Sequence, residues 1–189
     1  MTSWKWMTIA LAGSACLAIT PGAQAQVFVN GNGEAYSCYN TTKTGNRGTN
    51  SAIRTCTRAI QLDPDADNVA ASHINRGVLY MRKGNIRAAI TDLETGIAMN
   101  PAVAEGYINL SAAYFYDKRE DDALIAINTA LDKGTQKLAE AHYNRALILE
   151  KLGQTRQAYY DYKAALSHRP DWDMAEEAVS RFTVSRKAG

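Results

Sequence analysis

Small and apolar residues recur along this chain on a helical beat, and the beat itself repeats. Gly77, Ser111 and Ala146 stand 34 and 35 residues apart. The same steps bring Tyr80, Tyr114 and Leu149 into register, and likewise Ala89, Ala123 and Ala158, and Gly96, Ala130 and Ala165. A fixed period of this length predicts stacked structural units, each too small to bury its own apolar face. Small residues at three fixed places mark where paired helices cross closely, since a larger side chain would push the axes apart. Turn signals fall between the halves: Lys83-Gly84-Asn85, Lys118-Arg119 and Leu152-Gly153-Gln154. Glycine there can take the positive φ that ends a helix. Pro101 and Pro170 fall at matching ends, where they stop one helix or open the next.

Two stretches rhyme closely. HINRGVLYMRKGN begins at His73 and HYNRALILEKLGQ at His142, 69 residues later. Between them YINLSAAYFYDKR, from Tyr107, keeps the Asn and loses the Arg. This pattern resembles the tetratricopeptide repeat family, whose period is a 34-residue helix-turn-helix. The resemblance implies an all-α fold of helical hairpins stacked in a right-handed superhelix with a C-terminal capping helix. It implies three full repeats within 70–171, at 70–103, 104–138 and 139–171. His73, Tyr107 and His142 stand where the family usually has Trp, so core packing accounts for both histidines. The second repeat lacks the closing proline and carries one extra residue around Asp132-Lys133-Gly134-Thr135, which predicts a distorted turn.

The spacing extends to both sides. Ala52, Cys56, Ala59 and Pro64 fit the second helix of a degenerate repeat within 26–69, with Cys38 in its first helix, Ala35 to Thr42, and a turn over 44–48. Three extra residues within Asp65 to Val69 predict a loose join to the next repeat. Trp172, Ala175, Val179 and Phe182 fall three and four apart, one apolar face of a capping helix within 172–189. Trp172 then belongs to the core, and the last residues form a free tail.

Arg76 and Arg145 occupy the seventh position of the outer repeats, and Asp92 and Asp161 the twenty-third. Repeat two has Leu110 and Ala126 there instead. The joint change predicts an ion pair inside each outer hairpin, because a partly buried Arg needs a partner; chance agreement among three repeats is the rival. Asn75, Asn109 and Asn144 share the sixth position. A primary amide offers donors and an acceptor, so a row of them can hold the backbone of an extended peptide without reading its side chains. A local hydrogen bond is the alternative.

By the resemblance, Ala71, Ile74, Val78 and Met81, then Glu105, Ile108, Ala112 and Phe115, then Glu140, Tyr143, Leu147 and Glu150 line a concave groove. The implied peptide site is Ile74, Asn75, Val78, Met81, Ile108, Asn109, Ala112, Phe115, Tyr143, Asn144 and Leu147. It is apolar with acidic edges, unlike the basic clamp by which chaperone-binding relatives hold a terminal carboxylate. The expected partner is an apolar segment, with Lys or Arg flanks, of another exported protein. The rivals are filling in cis, by residues 26–33 or the tail, and filling in trans by a second copy, which makes a homodimer.

The N-terminus changes the setting. Lys5 precedes an uncharged apolar run from Met7 to Ile19, shorter than the ~20 residues of a spanning helix. Pro21 and Gly22 break it, and Ala23-Gln24-Ala25 reads as a cleavage site before Gln26. Residues 1–25 are thus expected to be a signal peptide, the protein exported and periplasmic, with no stable membrane insertion after cleavage; an uncleaved anchor is the alternative. Cleavage leaves 164 residues with a formal charge of +1, so nothing electrostatic calls for nucleic acid or anionic lipid. It also leaves Cys38 and Cys56 as an even pair, expected to form a disulfide in an oxidising compartment. A zinc site would need further ligands, and no metal or cofactor is expected. His168 near a helix end favours the dipole. Gly31-Asn32-Gly33 lacks the rest of any phosphate-binding pattern, and no serine lies in a nucleophile elbow. The chain is therefore expected not to be an enzyme.

Overall fold

In the computed structural model the described residues are 7–11, 24–29, 31, 33–44 and 49–186. They form two compact units, one of residues 24–137 and one of Leu138 onward together with residues of the N-terminal segment. Among the described residues the fold is all-α apart from one short two-stranded ribbon.

The first unit holds three helical hairpins: α1 (Glu34–Lys43) with α2 (Asn50–Leu62), α3 (Ala66–Arg82) with α4 (Ile86–Met99), and α5 (Ala104–Tyr116) with α6 (Glu120–Asp132). The N-termini of α2, α3 and α4 are fixed by side-chain caps. Thr49 accepts a hydrogen bond from the Ala52 amide, and Asn85 accepts one from Ala88. The small residues do what the period predicts. A Cβ on Gly96 would stand 2.7 Å from the Ala70 carbonyl oxygen and 2.7 Å from Ile74 Cγ1, so α3 and α4 could not approach as they do. Gly84 takes φ +81° in the turn of that hairpin, whereas in the next hairpin Lys118 itself adopts φ 61°, an uncommon backbone for a residue with a Cβ.

Cys38 and Cys56 form a disulfide between α1 and α2, and both are fully buried. The turn expected over 44–48 lies outside the described residues except for Thr44. The expected loose join at Asp65 to Val69 is not observed. Those residues open α3 instead, because the Asp65 carboxylate accepts from the Asp67 and Asn68 amides and nucleates an extra helical turn. At the irregular turn after α6, Gly134 takes φ +73° and the buried Thr135 hydroxyl donates to Glu105 Oε1 at 3.1 Å.

The second unit holds α7 (Leu138–Lys151), α8 (Thr155–His168), α9 (Asp173–Ser180) and the strands β1 (Met7–Leu11) and β2 (Phe182–Arg186). The strands pair antiparallel, with Leu11 opposite Phe182 and Met7 opposite Arg186. This corrects the expected capping helix: it ends at Ser180, and Phe182 leaves it for the strand. Thr183 and Val184 are β-branched and favour extended backbone, while the Phe182 ring packs on Tyr159 and Tyr162 at 5.6 and 5.9 Å. Trp172 is buried against Tyr143, with ring centres 4.7 Å apart. Most of residues 1–25, and residues 187–189, lie outside the described set. No helix among the described residues is long and apolar enough to cross a membrane.

Candidate peptide-binding groove

Residues 24–29 lie along the first unit, and two asparagine side chains hold them there. The Val27 amide donates to Asn75 Oδ1 at 3.0 Å, and Asn75 Nδ2 donates back to the Val27 carbonyl at 2.9 Å. Two residues earlier the Ala25 amide donates to Asn109 Oδ1 at 2.9 Å, and Asn109 Nδ2 donates to the Ala25 carbonyl at 2.5 Å. Each amide therefore satisfies both main-chain groups of one residue and skips the next. That geometry needs an extended chain, in which every second residue faces the same way. Burial alternates accordingly: Ala25, Val27 and Val29 are 1%, 7% and 2% exposed, while Phe28 is 63% exposed. Gln24 is fixed as well, accepting from Arg82 Nε at 2.9 Å.

Both asparagines project from first helices of adjacent hairpins, α3 and α5, at equivalent positions. With the segment in place they are fully buried, and its main chain supplies the partners their polar atoms need there. Val27 and Val29 join the same buried apolar cluster as Ala71, Ile74, Val78, Met81 and Ala112. Burying two valines contributes about 1.5–3 kcal/mol each before ordering costs, and the four hydrogen bonds add roughly 1 kcal/mol apiece.

The sequence-expected groove residues are therefore unequal. Ile74 points inward, against the backbone approach at Gly96 and Gly106. Ile108 is fully buried and Phe115 half-buried. In the second unit Tyr143 is packed between Tyr162 and Trp172, Asn144 is buried, and Leu147 is half-buried. The acidic edges need correction. Glu140 is paired with Arg169, and Glu150 takes both Arg181 nitrogens at 2.9 and 3.0 Å plus the Tyr162 hydroxyl at 2.9 Å. Glu105 accepts from Thr135. These carboxylates are engaged within the chain, so they do not stand ready for the basic flanks of a partner.

The rhyme between the first and third repeats is an Arg–Asp ion pair with a histidine hydrogen-bonded to it. Arg76 grips Asp92 with two nitrogens, at 2.6 and 2.7 Å, and His73 Nδ1 lies 3.0 Å from the same carboxylate. Arg145, Asp161 and His142 repeat this at 2.6, 2.8 and 2.9 Å. Arg76 also reaches back to the Thr57 hydroxyl of α2 at 2.9 Å. Burial pushes the Asp92 carboxyl up, but the hydrogen bonds from Arg76 and His73 outweigh it and hold the group below its ordinary range; Asp161 behaves likewise with Arg145 and His142. Simple core packing of the histidines is thus corrected: each hydrogen-bonds the aspartate 19 residues on. The parallel spacing of His, Arg and Asp in both repeats was the available signal. His142 also stacks on His168, with ring centres 5.7 Å apart. Among the described residues no group of three His, Cys, Asp or Glu side chains is placed to hold a metal ion.

No curated protein matches the chain in sequence. Among solved structures it is similar to the crystal structure of MamA, at 23% identity and TM-score 0.61 over 75% of this chain and 80% of that one. It is also similar to the first TPR of Spaghetti (RPAP3) bound to the HSP90 peptide SRMEEVD, at 22% identity and TM-score 0.56 over 59% and 87%. Cut9–Hcn1 of the APC/C gives TM-score 0.68 at 19% identity, over 78% of this chain and 29% of that one. These likenesses establish the fold. In sequence, residues 70–103 and 139–171 match the tetratricopeptide repeat. The chain thus carries tetratricopeptide repeats at those two places, on a fold of paired helices shared with known tetratricopeptide proteins.

Proposed function

We propose that this protein is a non-catalytic interaction scaffold of the bacterial cell envelope, exported to the periplasm, which holds an extended apolar segment of another exported protein along its asparagines. Tetratricopeptide domains are protein–protein interaction scaffolds, and a structural neighbour holds a peptide. The observation that carries the reading is the double clasp of Ala25 and Val27. It recognises main chain, so it tolerates many sequences, and it admits side chains only at alternate positions. The preferred segment places small or β-branched apolar residues at every second position, as Ala25, Val27 and Val29 do. An acidic peptide such as SRMEEVD would find isoleucine, glutamate and asparagine where a basic clamp would be needed.

A second reading rests on the same residues. The clasped chain is the protein's own, so the groove can be a self-satisfied structural element, filled in cis or exchanged with a second copy. A photo-crosslinking residue in place of Phe115 separates the two in living cells. Adducts with a different envelope protein, lost on Asn75→Ala/Asn109→Ala, support the scaffold. Adducts of twice the protein's own mass support self-association. Adducts confined to cytoplasmic proteins would overturn the export reading.

A further inference from the structure

The residues seated in the clasps straddle the processing point read from the sequence. Ala25 lies on Asn109 and Val27 lies on Asn75, and cleavage after Ala23-Gln24-Ala25 would fall between them. We propose that this cleavage empties the Asn109 clasp while the Asn75 clasp stays filled, and that the emptied clasp binds the C-terminal end of another chain finishing in a small residue. The inference rests on the export reading above.

Polarity selects a chain end. From Ala25 to Val27 the segment runs from α5 toward α3. A second chain entering in the same sense must stop at the place of Ala25, because Gln26 and Val27 still fill the two places beyond it. Its last N–H takes the Asn109 oxygen, and its carboxylate takes the Asn109 Nδ2 that now donates to the Ala25 carbonyl. The new α-amino group of Gln26 begins where that carbonyl stops. Its ordinary pKa, about 7.7–8, leaves it largely charged at neutral pH, so it complements a carboxylate and not a continuing peptide bond. Burial sets the last side chain: the Ala25 methyl is 1% exposed, and a larger group there would have to displace packed neighbours. The residue before it is favoured when it offers an oxygen, since Gln24 now accepts from Arg82 Nε. The ligand class is thus a chain ending in an acceptor side chain followed by Ala or a similarly small residue.

The test compares the full chain, made without membranes and so uncut, with the protein recovered from the envelope. Mass spectrometry first reads the N-terminus; any start other than Gln26 removes the cut between the two clasps and overturns this proposal before binding is measured, while recovery from the envelope leaves the export reading standing. The probe is the synthetic peptide LAITPGAQA, labelled at its N-terminus. The protein beginning at Gln26 should bind it roughly tenfold or more tightly than the uncut chain does, the loss expected when a buried main-chain clasp is already filled. A probe ending in a carboxamide, and one carrying Ala25→Trp, should each bind at least about fivefold more weakly. These two need no change to the protein, so misfolding cannot explain them. Asn109→Ala should weaken binding far more than Asn75→Ala. Equal binding by cut and uncut chains overturns the proposal, and so does indifference to the carboxamide or to Trp. Absence of binding to protein that begins at Gln26 overturns it too.

Discussion

The hairpins α3/α4 and α5/α6 lie side by side in one unit and solve the same packing problem with different chemistry. In α3/α4 the helices are joined through a buried Arg76–Asp92–His73 cluster. In α5/α6 the equivalent places hold Leu110 and Ala126, both buried, and Tyr107, which lies under the Lys133 ammonium at 5.4 Å. The asparagine, by contrast, is present in both and does the same thing in both. The ion cluster is therefore one of two interchangeable ways to close a hairpin. The asparagine answers a demand from outside the hairpin, which is the chain it clasps.

The largest test of this comparison removes half of the cluster. Asp92→Ala takes the shared carboxylate from the partly buried Arg76 and His73 and should cost about 2–3 kcal/mol in urea unfolding. Glu94→Ala, which removes only an exposed acceptor for the Tyr114 hydroxyl, should cost under about 1 kcal/mol. Converting the site toward its neighbour with Arg76→Leu/Asp92→Ala should recover most of the loss. If the double variant is as unstable as Asp92→Ala alone, the two hairpin solutions are not interchangeable.

The sequence carried the hairpin period, the disulfide and the charge pairing for a common reason: each comes from residues of special chemistry at a fixed spacing. Gly96, Cys38 with Cys56, and Arg76 with Asp92 all signal themselves. What it did not carry depends on where the chain goes between such points. Nothing local says that Phe182 leaves the helix to pack on Tyr159 and Tyr162, or that Glu150 is spent on Arg181. Asp65 is a cap signal, but a repeat counted from Ala70 hides it. The clasp was half visible. The row of asparagines implied main-chain recognition and residues 26–33 were one of the rival occupants, but which segment lies there, and that it reaches back to Gln24, comes only from the three-dimensional fold.

A second contrast sets the α1/α2 hairpin against its neighbours. It alone of the first unit's three hairpins is bridged covalently, and by the chain-entropy account replacing both cysteines with serine should cost about 3 kcal/mol. Loss of the same size on reducing the intact protein confirms the cause; no change on reduction would show that packing already suffices. A smaller effect tests the turns. Lys118→Gly relieves a left-handed backbone that Gly84 adopts freely in the hairpin before, and should stabilise the protein by about 1 kcal/mol. Gly84→Ala should lower stability by a similar amount. A stabilising Gly84→Ala would show that the turn relaxes to another conformation.

The smallest effect distinguishes the hairpins by pH. Asp92 and Asp161 have carboxyl groups held below the ordinary value of 3.8, because bonds from their Arg and His partners outweigh the effect of burial. The unfolded chain therefore binds these protons at higher pH than the folded chain does. The stability they contribute is present above about pH 4 and drains away as pH falls through the lower folded values. The α5/α6 hairpin holds no such carboxylate at the equivalent place, so it adds nothing to this slope. In Arg76→Leu/Asp92→Ala/Arg145→Leu/Asp161→Ala, with both outer hairpins rebuilt like the middle one, stability below about pH 4 should fall less steeply than in the natural protein. The two should differ little in slope between about pH 5 and pH 7. Urea midpoints across that range decide it: parallel slopes in acid would mean that the two aspartates are not what acid attacks.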